Sequence, residues 1–266
     1  MNWLRFERTI MNIKPDIVFS VEGFRIANTT LYLFAIALFL FIVLFRLRKK
    51  LSIIPSKWQS IFEIVYESLI GLIKQITGSE YHAKKVFPIV GSLFLFIAFS
   101  NFSGLIPGLS SITYDGVSIF RTPTSDFNTT FALAFGSVIV LNIVSLSEWG
   151  FLGHIGKFLK FKEVYFGFKK SIGAGAMAIV DFLLGILDII GEFAKIVSLS
   201  LRLFGNMYAG EVLMAILIGS LAYIIPSIWF AMSMLSALVQ SIVFGSLVTV
   251  FYMLAIKSDS SSEERV

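Results

Sequence analysis

Asp181, Asp188, Glu192, Lys195, Arg202 and Glu211 all fall between Ser171 and Ser220, a stretch otherwise as apolar as a membrane span. By insertion-based estimates an ionisable group at membrane depth costs roughly 3 kcal/mol, so such residues face a protein interior or water and mark ion pathways. Their spacing fits one helix. Asp181, Asp188, Lys195 and Arg202 recur every seven residues, which at about 100° per residue lines them up with about 20° of drift per step. Glu192 and Asn206 join the stripe, each four residues beyond a member. Glu211 lies nine residues past Arg202, about 180° around the axis. One helix therefore offers a polar stripe leading up to Arg202 and a carboxylate on its far side.

Asp188, Glu192 and Lys195 fit two roles: members of an ion path, or an ion-paired face near the headgroups with Lys195 snorkelling. Arg202 is harder to place as a bystander. It is flanked by Leu201, Leu203 and Phe204, and no carboxylate stands three or four residues away on either side. Its counter-charge is expected from another helix or another chain.

The elements that position this stripe follow from composition. Of the 266 residues, 56% are hydrophobic and 15% charged, with a mean hydropathy of +0.85. Soluble proteins carry about 45–50% apolar and about 25% charged residues, so this chain is built for lipid. Cysteine is absent and the two histidines, His82 and His154, are far apart, which removes disulfides, thiol chemistry and Cys/His zinc clusters. The net charge of +5 does not point to nucleic acid, because the 22 Lys and Arg are scattered between apolar runs, as the positive-inside rule expects.

Charge-free runs predict spans over 26–45, over 86–114 with a break at the GLIPG of 104–108, and over 127–147. Residues 212–256 carry no charge for 45 residues. One helix of that length would reach about 68 Å, so the stretch folds back or lies strongly tilted. A turn is expected at 222–227, beside Pro226. The sum is an all-α integral membrane protein with about five membrane helices, one interfacial amphipathic helix and a long tilted C-terminal hairpin over 176–256. The amphipathic helix is expected over 56–78, with Ser60, Glu63, Glu67 and Lys74 on one face and Ile61, Phe62, Val65, Leu69, Leu72 and Ile76 on the other. It fits a helix along the interface or a soluble connector. The first apolar run follows Arg5, Arg8, Lys14 and Arg25 and precedes Arg46, Arg48, Lys49 and Lys50, which reads as an uncleaved first span.

With Lys49 and Lys50 inside the cell, segments 46–86, 148–175 and 257–266 hold 8, 5 and 2 basic residues, against 4 and 1 in 1–25 and 109–126. The excess orients the chain with its N-terminus outside and its C-terminus in the cytoplasm. Residues 1–25 are then external, 148–175 form a cytoplasmic basic loop and 257–266 a polar tail. The pattern suits a bacterial plasma membrane.

Four segments occur in order: the Pro55, Gln59, Glu63 pattern, PIVGSLFLFIAFSNFSGLIPG at 88–108, PTSDFNTTFALA at 123–134 and LSLRLFGNMYAGE at 199–211. Together they resemble subunit a of F-type ATP synthases, the stator of a membrane-embedded rotary motor, and the similarity runs from about Asn28 to Ile256. The resemblance implies that the helix bearing Arg202 and the last helix form a tilted hairpin against a rotating ring of c subunits, each with one carboxylate. It implies the b-subunit peripheral stalk and the remaining synthase subunits as partners, no cofactor, and a non-catalytic, ion-translocating role. Arginine keeps its charge, and a fixed guanidinium favours the ionised form of a passing carboxylate. Each ring carboxylate then releases its proton at Arg202, and the same charge blocks a leak between two aqueous half-channels.

On the same resemblance, the exterior half-channel contains Glu211, with Asn101, Asp126, Ser233 and Gln240 as neighbours. Gln240 matches a family glutamine facing the essential arginine. Some relatives carry an ionisable residue where Ser233 stands, which moves proton handling here to Glu211, with water and Asp126 as aids. The cytoplasmic half-channel uses Asp188 and Lys195, with Glu192 and Ser198 as further candidates. The carried ion is a proton, with Na+ left open.

Three rivals fit less well. A membrane enzyme finds no HExxH, GxSxG or CxxC; GFLGHIGK at 150–157 has the wrong spacing for a phosphate loop and is followed by Phe158, so nucleotide chemistry belongs to a partner. An ion-coupled secondary transporter would be expected to show paired halves. A purely structural anchor would not need Arg202 or Glu211 at depth.

Overall fold

The computed structural model describes residues 15–21, 24–49, 51–106, 108–109, 112–114, 117–158, 172–220 and 224–257. Among the described residues six helices follow one another: α1 (Asn28–Lys49), α2 (Lys57–Thr77), α3 (Glu80–Gly104), α4 (Phe127–Phe158), α5 (Ile172–Ser220) and α6 (Ile224–Lys257). Antiparallel strands β1 (Ile17–Val21) and β2 (Phe24–Ala27) precede α1; strands β3 (Thr113–Tyr114) and β4 (Val117–Ser118) and a 3-10 turn, Pro123–Ser125, lie between α3 and α4.

By length and composition, four helices can cross a membrane: α1, α3, the Phe127–Leu146 part of α4 and the Pro226–Ile256 part of α6. The fold is that of an all-α membrane protein. The 49-residue α5 is the fifth long helix and differs in carrying the charged stripe. It reaches about 74 Å at 1.5 Å per residue, far more than the roughly 30 Å of hydrocarbon. The α1 window is 11% buried, against 39–44% for the other three, so α1 is the peripheral helix.

Several boundaries differ from the sequence expectation. The third span does not stop at Ser147: α4 runs on to Phe158, into the segment expected as a loop. Glu148 and Lys157 end the charge-free run but not the helix, because no proline intervenes. The break expected at 222–227 is shorter, since α6 begins at Ile224 with Pro226 in its first turn. Proline is tolerated there because first-turn N–H groups have no helical partner. The second span ends at Gly104, where Leu105 N–H bonds the carbonyl of Phe102. The rest of the basic loop, 159–171, and the tail 258–266 lie outside the described residues, as does 1–14.

Helix α2 has the ends its sequence calls for. The Ser56 side chain accepts from Gln59 N–H at the N-cap, and Gly78 takes φ 66° at the C-cap while its N–H reaches the Lys74 carbonyl, the left-handed geometry that glycine adopts without strain. The expected apolar face divides. Leu69 and Ile73 enter the core with Gln59 and Thr77, whereas Trp58, Ile61 and Ile64 stay exposed.

Contacts fix the helix directions. Phe127 meets Phe204 and Thr130 meets Ser200, so α4 and α5 are antiparallel. His82 faces Tyr252, and Val90 lies beside Gly245, so α3 and α6 are antiparallel. Asn206 meets Ser236, and Gly210 meets Trp229, so α5 and α6 form an antiparallel hairpin. The core where these helices meet is built from Val86, Val90, Ile97, Val138, Leu199, Leu203, Phe244, Val248 and Tyr252 among others, with buried Gly91, Ala134, Ser137, Ser200, Ala237, Ser241 and Gly245 between them. Small residues let backbones approach where lipid tails are as apolar as the side chains.

At Gly245 a Cβ would already lie 3.2 Å from Val90 Cγ1. Gly245→Val is expected to push α6 off α3 and cost about 1–3 kcal/mol, read as a lower midpoint of unfolding in mixed micelles; an unchanged midpoint would show that this contact is slack.

Candidate ion-translocation site

The charged stripe of α5 does not act as one unit. Lys195 Nζ pairs with Glu192 Oε1 at 2.7 Å and lies over the Phe251 ring at 5.4 Å. The pair borders a small cleft between α4, α5 and α6, lined by Val138, Leu141, Asn142, Phe251 and Ala255. An i,i+3 pair with most of its surface shielded from water is screened less than a surface one. Asp188 is exposed and makes no ion pair among the described residues. For Asp181 only the backbone is described.

Arg202 stands on the outward side of α5. Leu199 and Leu203 beside it are buried at 1% and 0%, while Arg202 and Leu201 are exposed. Among the described residues its guanidinium has no hydrogen bond or ion pair, in line with a counter-charge from another chain. Ser198, one turn away, is exposed on the same side.

The neighbouring α6 supplies the polar residues behind this face. Ser236 Oγ donates to Asn206 Oδ1 at 2.9 Å, and Trp229 Nε1 donates to the Gly210 carbonyl at 3.3 Å. One turn further along the same antiparallel register, Gln240 comes level with Arg202. Gln240 is 7% exposed and its Nε2 has no hydrogen-bond partner among the described residues, an unmet donor in a buried place. Ser233 is half-buried and makes no polar contact among the described residues. The α6 serine that touches α5 is Ser236, which sequence reasoning missed; its position four residues before Gln240, on the same helical face, was the available signal.

A second polar group sits past the other end of the stripe. Glu211, half-buried on α5, lies within hydrogen-bonding reach of the side chains of Thr122 and Ser125, with the Arg121 guanidinium near enough to act on it. Nearby, Thr124 Oγ1 donates to Asn101 Oδ1 at 2.7 Å, while Asn101 Nδ2 and Ser100 Oγ are buried without partners. Asp126 is 4% exposed and accepts three hydrogen bonds. Its Oδ1 accepts from Asn128 N–H at 3.1 Å, and its Oδ2 accepts from Thr29 Oγ1 at 3.0 Å and Thr129 Oγ1 at 3.3 Å. It caps α4 and ties α1 to that cap.

Of the expected exterior residues, then, Glu211 and Asn101 lie by the 3-10 turn, Asp126 is committed to the cap, and Gln240 and Ser233 belong to the α5–α6 seam. Arg121, Thr122, Thr124 and Ser125 were not singled out from sequence. Their signal was a polar run, RTPTS, between two apolar spans. No group of three or more His, Cys, Asp or Glu that could hold a metal occurs among the described residues.

A model of the ATP synthase A chain family matches residues 29–253. The chain is 36% identical over 207 residues to ATP synthase subunit a of Desulforamulus reducens, covering 75% of this chain and 67% of that protein. It is 30% identical over 242 residues to ATP synthase subunit a of Moorella thermoacetica, covering 91% and 96%. It is 32% identical over 241 residues to a Propionigenium modestum protein named ATP synthase subunit a, sodium ion specific, covering 89% and 76%.

The three bonds to Asp126 predict a capping role. Asp126→Ala should cost about 1 kcal/mol or more of stability, whereas Asp126→Asn keeps an acceptor for Asn128 N–H and should leave ion transfer near its original rate. Transfer lost in Asp126→Asn with stability intact would instead assign the carboxyl to the ion path.

Proposed function

The chain belongs to the ATP synthase A chain family, subunit a of F-type ATP synthases and an integral membrane component of that complex, and from this premise we propose that Arg202 is the fixed charge at which a rotating c-ring exchanges its ions. The observation that carries the proposal is the isolation of Arg202. Glu192 and Lys195 satisfy each other and Glu211 is held by Thr122 and Ser125, but Arg202 faces outward from α5 beside Leu201. An unpaired guanidinium at membrane depth is costly, and a carboxylate brought by a partner removes that cost.

On this proposal the chain is non-catalytic itself. The α5–α6 hairpin, 176–256, separates two aqueous half-channels. Glu211 and the polar group around Asn101 form the exterior one; Glu192, Lys195, Asp188 and Ser198 form the cytoplasmic one; Asn206, Ser236 and Gln240 line the seam beside Arg202. The N-terminus lies outside and the C-terminus in the cytoplasm of a bacterial plasma membrane, with 148–175 as the cytoplasmic connection and 1–25 external. The c-ring, the b-subunit stalk and the remaining synthase subunits are the partners. The carried ion is a proton, with Na+ as the alternative cargo that the name of the Propionigenium relative raises.

A ring carboxylate in lipid favours its protonated form by desolvation, and approach to Arg202 favours ionisation. The ion therefore leaves into one half-channel and is replaced from the other. Moving one charge through 100 mV is worth about 2.3 kcal/mol, which a leak past Arg202 would dissipate without turning the ring.

Arg202→Ala should abolish ion-driven ATP synthesis while the complex assembles with its full set of subunits; coupled synthesis at the normal rate would overturn the proposal. Glu211→Gln should slow ion entry from the exterior, so a rate unchanged across exterior pH would remove Glu211 from the path.

A further inference from the structure

Thr122 and Ser125, beside Glu211, have a built-in placement that the roles above leave unused. Thr122 is 5% exposed and Ser125 0%, and the turn they belong to touches α1, α3, α4 and α5. Thr122 fits because residue 104 is glycine: its Oγ1, Cγ2 and Cβ occupy the space that a Cβ on Gly104 would need. Ser125 is tied to the Thr122 carbonyl twice, through its N–H at 3.1 Å and its Oγ at 2.9 Å. From this held position both side chains reach the Glu211 carboxyl.

We propose that Thr122 and Ser125 are positioning residues for Glu211, their hydroxyls holding its carboxyl in place both with and without its proton. The proposal rests on Glu211 taking part in ion transfer. A hydroxyl has one proton to donate and two lone pairs that accept. While Ser125 Oγ donates to the Thr122 carbonyl, it can only accept from Glu211, which suits the protonated carboxyl, whose O–H is the donor. When Glu211 has given up its proton, Thr122 donates to the carboxylate, and Ser125 turns its own O–H from the Thr122 carbonyl to the same group. Neither hydroxyl gains or loses a proton; the one that moves is on Glu211.

The other charged and titratable groups here are few, and from α1 there is Tyr32, which meets Ser103 and the Phe120 ring. Arg121 precedes the turn and faces Glu211. Asp126 follows it and is committed to Thr29, Thr129 and Asn128. Tyr208, on α5 itself, is stacked on Phe204. Along α6 no ionisable side chain occurs between Pro226 and Phe251, and none occurs in α3 from Ile97 to Gly104.

The test uses the whole complex in liposomes, with ATP synthesis followed as exterior-side pH is varied and the nucleotide-side pH is held. In Thr122→Val with Ser125→Ala, the ionised carboxyl loses its donors, so the acidic limb of the profile should move up by about half a pH unit or more. Thr122→Ser, which keeps the hydroxyl, should restore the original limb. In a Glu211→Gln background the same pair should change nothing further. A uniformly slower rate with the limb unmoved, or an added loss in the Glu211→Gln background, would overturn the proposal. The two failures are separable: an unaltered Glu211→Gln complex removes Glu211 and its positioning residues together. A slow Glu211→Gln complex beside an unmoved limb in the hydroxyl variant removes only the positioning role.

Discussion

A guanidinium that cannot shed its charge, held on the outward face of a membrane-depth helix, is the constraint to which the rest of this chain answers. Arginine stays charged where lysine could deprotonate, so the cost of Arg202 at depth must be met by a counter-charge or by water. Among the described residues no carboxylate of this chain pairs with it. Behind the arginine the structure is close-packed: Leu199 and Leu203 are buried, and the α4–α5 contact runs through Ser200 and Thr130. Arg202 therefore cannot fold back into its own protein without displacing packed core. Its charge is aimed away from the chain, which is the condition for acting on a group that passes by.

Satisfaction of the other polar groups sharpens that isolation. Glu192 and Lys195 neutralise each other beside Phe251, so the cleft they border is polar without net charge. Asn206 is bonded to Ser236, which pins the hairpin register and carries Gln240 to the level of Arg202. The Gln240 Nε2 left without a partner is an unmet donor in a buried seam, which on the proposed function a carboxylate brought to Arg202 could use. Asp126, by contrast, is spent on three bonds that join α1 and α4; its burial belongs to the scaffold that holds the turn against α5.

Helix existence was legible in the apolar runs, and the ends of α2 could be read from Ser56 and Gly78. Boundaries set by something other than hydropathy were not. The charges at Glu148 and Lys157 hid the continuation of α4, because a charge ends a lipid-facing window without weakening the helical hydrogen bonds. For the site, the seven-residue spacing placed Arg202 correctly on a helix but could not tell which stripe members pair with each other, since that depends on rotamers and on what α4 and α6 bring. Thr122 and Ser125 were not separable from an ordinary polar turn, for a different reason. Short hydroxyl residues between two spans look like any turn, and their value arises only from Gly104 and Glu211, 18 residues before Thr122 and 86 after Ser125 in the chain.

The offset between Arg202 and Glu211 has its own consequence. Nine residues separate them, about 14 Å of rise and half a turn. Across that distance at an effective dielectric near 20 their direct attraction is about 1 kcal/mol, too little for either to decide the protonation of the other. On the proposed function the two groups therefore work independently, on opposite sides of one helix and at different depths. On α5 the apolar Phe204 and the buried Met207 lie between them, but so do Asn206 and Tyr208, so the helix surface alone does not close the way from Glu211 to Arg202. On the proposed function what opposes the direct route is the fixed charge of Arg202, which repels a cation driven past it, so the ion crosses on a carrier that moves laterally and whose own carboxylate meets that charge.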